Sequence, residues 1–180
     1  MLDFQRDGPF WTTEAQLPSW AGYQTRNGPY GSISSHSPSD GLVKIYAPDR
    51  NESPPTEQDR ASVQWLLDHE AAVASAVLEG LLAEYPRLQR LYDYEQADRE
   101  ALMPDVSSSE DFRQLIGLQN VHVLQVLKDG IPYVGYEFGC TWDEEHGLGV
   151  LLHGTRVVEV GDAQTSFTLW IARRDGGVET

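Results

Sequence analysis

Cysteine is nearly absent: Cys140 is the only one in 180 residues. A single thiol closes no intrachain disulfide, which excludes a small secreted scaffold held by disulfide staples. Basic residues are scarce as well. Thirteen Lys and Arg stand against 28 Asp and Glu, a formal net charge of -15. A field of that sign repels phosphate backbones and anionic headgroups, so neither nucleic acid nor a membrane is an expected partner. No apolar run is long enough to span a bilayer. The opening residues 1–7 lack the basic start and apolar stretch of a signal peptide, so a cytoplasmic location is expected. Internal repeats and low-complexity tracts are missing too.

What is present suits a rigid body. Hydrophobic residues make up 40% of the chain, with five Trp, eight Tyr and five Phe to supply the buried area that offsets chain entropy. The length fits one domain, residues 1–180, able to bury roughly 70% of the surface its unfolded form exposes.

Residues 1–50 are aromatic and turn-rich, which favours short strands, the clearest being Leu42-Val43-Lys44-Ile45-Tyr46. Residues 27–40 read as an exposed loop, and Pro48, Pro54 and Pro55 enclose a polar stretch at 49–53. A helical segment spans 56–116. Thr56 with Asp59 forms a capping pattern, and Leu66, Val73, Val77 and Leu81 recur at helical spacing, predicting a long helix that ends at Tyr85 before Pro86. Ser108 with Asp111 caps a shorter one through Leu115. Two hairpins follow over 120–161. The first turns at Asp129-Gly130 and sends Tyr133, Gly135 and Glu137 to one face, with Val134, Tyr136 and Phe138 on the other; the second turns at Gly154-Thr155. Residues 162–174 close the chain as a helix or turn. The expected class is α+β: an antiparallel sheet of N-terminal and C-terminal strands packed against a long central helix.

The densest chemistry lies in the connector between the hairpins, Cys140-Thr141-Trp142-Asp143-Glu144-Glu145-His146-Gly147-Leu148-Gly149. Glu145 and His146 with His153 offer the imidazole and carboxylate ligands that zinc accepts, yet no H-E-x-x-H or paired C-x-x-C spacing defines a metal site. The same groups, with Asp143, suit acid/base hydrolysis; adjacent carboxylates equally suit a capped, solvated turn. Cys140 paired with His146 or His153, its imidazole oriented by Glu137, Glu159 or Asp162, would make a nucleophile, whereas a lone cysteine beside a strand also serves as a small buried hydrophobe. Glu137 stands out for lying within a β-rich strand, although the outer face of a strand accommodates glutamate. Gly147 and Gly149 lack the strand-helix context and Lys-Ser/Thr pair of a phosphate loop, and no cofactor is expected.

The run Tyr133-Val134-Gly135-Tyr136-Glu137-Phe138, then Cys140-Thr141-Trp142-Asp143 and Glu145-His146-Gly147-Leu148-Gly149-Val150, resembles a bacterial domain-of-unknown-function family with a C-terminal W-D-x-E-H-G-L-G-V motif. Pro54-Pro55-Thr56 with Gln58 and Ala61 is similar to that family's entry into its long helix. Some members occur in toxin-immunity gene clusters. The resemblance implies a non-catalytic binding module, an immunity protein that blocks a basic cognate toxin, with Trp142, Asp143, Glu145, His146, Gly147 and Gly149 as motif or interface residues. The alternative expectation is a metal-dependent or acid/base hydrolase using the Asp143–His153 segment.

Overall fold

The computed structural model describes residues 2–48 and 53–178; most of the polar stretch at 49–53 lies outside them. The chain forms one seven-stranded sheet whose strands lie side by side in sequence order: β1 (Gln5–Asp7), β2 (Phe10–Gln16), β3 (Leu42–Tyr46), β4 (Ile116–Lys128), β5 (Ile131–Cys140), β6 (Leu148–His153) and β7 (Arg156–Gly161). The class is α+β. Five of the six neighbouring pairs are antiparallel, and β3 with β4 is parallel. A parallel pair cannot be closed by a tight turn. The crossover here is the helical layer, α1 (Glu57–Asp68), α2 (Glu70–Tyr92) and α3 (Gln96–Leu102).

Local chemistry sets the element ends. Thr56 caps α1 reciprocally: its hydroxyl accepts from the Asp59 amide at 3.2 Å while Asp59 Oδ2 accepts from the Thr56 amide at 2.8 Å. Ser108 and Asp111 form a second capping box, which opens a 3-10 turn at Ser109–Gln114 rather than an α-helix. Asp129 (φ 53°) and Gly130 (φ 77°) both take left-handed geometry, the twist a two-residue hairpin needs.

Two expectations about the long helix are corrected. It breaks at His69, whose ring stacks on Trp65 and whose Nδ1 meets the Trp65 carbonyl at 2.7 Å. It then runs through Pro86 to Tyr92. A mid-helix proline costs about 3 kcal/mol, but Val77, Leu81, Tyr85 and Leu88 are buried on both sides of it, and four core side chains outweigh one lost bond.

The larger core lies between α1–α2 and one sheet face, built from Val43, Ile45, Val121, Tyr136, Phe138 and Val150 among others. Val43 and Ile45 therefore point inward, and Leu42, Lys44 and Tyr46 point to the opposite face. On that second face a smaller core of Leu124, Val126, Tyr133 and Leu151 packs against Ile171 and Ala172 of α4 (Leu169–Gly176). Asp175 ties α4 down. Its carboxylate accepts from the Arg156 guanidinium at 2.5 and 3.1 Å and from the Tyr133 hydroxyl at 2.7 Å.

Glycines let backbone lie directly on the second face. A Cβ on Gly135 would meet the Ser166 carbonyl oxygen at 1.6 Å, and one on Gly149 would meet the Asp162 oxygen at 2.3 Å, both under the 3-10 turn at Ala163–Phe167. At the other end, a Cβ on Gly117 would meet the Gln24 oxygen at 2.3 Å and one on Gly139 the Gly31 oxygen at 2.4 Å. Both covers rest on sheet positions where no side chain fits.

Gly135→Ala is expected to lower the unfolding free energy in urea by at least about 2 kcal/mol, since Ser166 meets it with backbone and cannot rotate aside. A second expectation concerns acid. Hydrogen bonding from Arg156, partly opposed by burial and aided by Tyr133, holds the Asp175 carboxyl at about 2, against about 3.9 in an unfolded chain. A depressed carboxylate stabilises fully above its unfolded value and stops doing so as pH falls through its folded one. Asp175→Asn should therefore be less stable than the parent at neutral pH, with the difference closing between about pH 4 and about pH 2, as read from urea midpoints.

Candidate functional site

The connector of residues 141–147 is a braced turn. Trp142 is 2% exposed and meets Tyr85 edge-on at 5.6 Å, and its carbonyl accepts from the Tyr94 hydroxyl at 2.6 Å. Asp143 accepts from the Tyr92 hydroxyl at 2.8 Å and from the His146 amide at 2.9 Å, and the His146 ring Nδ1 lies 3.1 Å away. Burial raises the Asp143 pKa, but hydrogen bonds from His146 and Tyr92 outweigh it, and the net shift is downward. Gly147 (φ 66°) closes the turn, its amide donating to the Asp143 carbonyl at 2.9 Å. Gly149 lies under Asp162 and Ser166, as above. Glu144 reaches the buried Arg26 at 3.7 Å, while Glu145 is exposed and without a hydrogen bond among the described residues.

The metal and nucleophile arrangements are not assembled. His146 precedes β6 and His153 ends it, with Nε2 of His153 2.9 Å from the Lys128 carbonyl beside the first hairpin. Glu145, His146 and His153 are thus not brought together, and among the described residues no three His, Cys, Asp or Glu side chains converge for a metal ion. Cys140 is fully buried. Burial pushes its thiol up to about 12, and Sγ donates to the Asp143 carbonyl at 3.5 Å. Glu159 pairs with Arg174 at 3.0 Å.

Glu137 has a different histidine. Register places Lys44, Asn120 and Glu137 in one row across the second face, with Tyr46, His122 and Gly135 in the next. His122 Nε2 stands 2.7 Å from Glu137 Oε2, and the Asn120 amide donates to the same oxygen at 3.0 Å. An ionised carboxylate oxygen only accepts, so Nε2 carries the hydrogen of that pair. The His122 ring is stacked on Tyr46 at 4.9 Å and tilted on Phe167 at 5.0 Å, and Tyr46 meets Phe10 edge-on at 5.7 Å. Phe10–Tyr46–His122–Phe167 is a continuous row of rings, open to solvent at both ends: Phe10 is 42% exposed and Phe167 45%. Beside it runs an open polar trench of about 540 Å³, lined by Glu14, Thr25, Ser37, Asp40, Lys44 and Asn120.

Sequence reasoning singled out Glu137 but missed His122, Asn120, Tyr46 and Phe167. The available signal was the alternation Gly135-x-Glu137-x-Gly139, one polar side chain between two positions that admit none.

The thiol supplies a direct check on this geometry. Native protein is expected to leave Cys140 unalkylated by iodoacetamide under conditions that label it fully in denaturant. Rapid labelling of the native state would contradict the burial described here.

Comparison with curated proteins and with solved structures finds no match. A family model described as Domain of unknown function (DUF6985) matches residues 10–167, from the first ring of the aromatic row to the last. The chain belongs to that family.

Proposed function

We propose that this chain is a protein-binding module, an immunity-like inhibitor that seats a basic partner, a cognate toxin, against the open part of its second sheet face. The observation that carries the reading is the aromatic row beside the polar trench on a chain of net charge -15. Rings exposed at both ends of the row, next to a trench lined by Glu14, Asp40 and the half-exposed Leu42, have the make-up of an interface centre. The net charge adds long-range attraction for a basic protein and raises its encounter rate. Trp142, Asp143 and His146 border this role differently, since they brace the turn between β5 and β6, while Glu145 and the His146 ring reach solvent.

The test is co-expression with the product of the neighbouring gene, scoring growth rescue together with co-purification at low and high salt. Rescue and a complex that weakens as salt rises are expected, and Phe167→Ala should weaken that complex roughly tenfold or more. A neighbouring product that neither harms cells nor binds this chain would sink the immunity reading.

A further inference from the structure

We propose that Glu137 is the receptor for a single cationic side chain, an arginine guanidinium or lysine ammonium, presented by a basic protein partner. The inference rests on the protein-binding reading above and names the contact at its centre.

Glu137 sits where the two covers of the second face stop. On β5 its same-face neighbours are Gly135, under Ser166, and Gly139, under Gly31 and Arg26, so backbone walls the strand on either side of the one carboxylate that emerges. Its side chain keeps 18% of its surface exposed. Asn120 and His122 both direct their donors to Oε2, and Oε1 takes no donor among the described residues. The carboxylate is held in place by one oxygen and free at the other. The nearby cation in its register row, Lys44, is drawn off by Asp7 at 2.7 Å.

The surroundings suit a cation arriving from outside. Tyr46 and Phe167 flank His122, the residue that holds Oε2, so the carboxylate adjoins an aromatic row with the exposed Phe167 at its end, a setting that suits a guanidinium by charge and by ring quadrupole together. Asn120 also lines the trench, so a side chain laid along the trench arrives at Glu137 over that amide. The net charge of -15 selects the same sign of visitor.

The probe is N-acetyl-arginine amide, titrated into isotope-labelled protein with the His122 ring resonances as the readout and N-acetyl-norleucine amide as the uncharged control. Saturable movement of the His122 signals by the arginine probe alone, lost in Glu137→Gln, is expected. Glu137→Gln keeps the side-chain shape, and its thermal unfolding and spectrum show whether it folds. Phe167→Ala, at an exposed position, should weaken the probe's effect without abolishing it. No movement of His122, or equal movement in Glu137→Gln, overturns the proposal. In a complex with the neighbouring gene's product, Glu137→Gln should weaken affinity roughly 30-fold or more. An intact complex that ignores Glu137→Gln overturns this receptor while leaving the binding function. Probe binding without any such complex supports the receptor while the immunity reading fails.

Discussion

The arrangement depends on backbone lying against backbone with no side chain between. On the second face of the sheet, Gly135 and Gly149 receive the 3-10 turn at Ala163–Phe167, and Gly117 and Gly139 receive the loop around Arg26 and Gly31. Any Cβ at these four positions would lie between 1.6 and 2.4 Å from a backbone oxygen, far inside van der Waals contact, so the covers and the glycines specify each other. What the covers leave between them is a window of side chains on β3, β4 and β5: Lys44, Tyr46, Asn120, His122 and Glu137. The open surface is thus a remainder, set by where glycine ends.

The connector carries the densest chemistry in the chain and spends it on itself. Asp143 draws in the Tyr92 hydroxyl and the His146 amide, the Trp142 carbonyl takes the Tyr94 hydroxyl, and the His146 carbonyl accepts from the Ala163 amide at 2.9 Å. Each such bond contributes only about 1 kcal/mol net, but they join three separate pieces, the end of α2, the chain beyond it and the 163–167 cover. The position of Phe167, and with it one wall of the window, descends from this turn. Asp143 and the carbonyls of the connector are thus taken up in bracing the turn, whereas the window draws its polar groups from residues spread over three strands.

Much of the fold is readable because its signals are local. The Thr56-Asp59 cap, the Asp129-Gly130 turn and the alternation from Tyr133 to Phe138 each act over a few residues, and each is realised as read. The passage of α2 through Pro86 and the break at His69 are decided by packing on both flanks and by a ring stacked on Trp65, which periodicity does not encode. The parallel pairing of β3 with β4 was hidden for a related reason: nothing in Leu42–Tyr46 states which strand it will meet. The window was least visible of all. His122 and Glu137 face each other only through the register of β4 on β5, which a bulge between Leu118 and Asn120 shifts, and Tyr46 joins them from a strand far back in the chain.

The β3–β4 pairing also orders events in time. Strands β4 to β7 connect through short turns and one connector, so their contacts close small loops at little entropic cost. β1 to β3 reach them across the connection from Tyr46 to Ile116, the longest closure between neighbouring strands. The C-terminal meander is thus expected to form first, with strands β1 to β3 docking on it afterwards. Tyr46 belongs to the later piece, so the ring stack on His122 closes only with that docking, and a chain whose β3 is undocked carries half of the aromatic row.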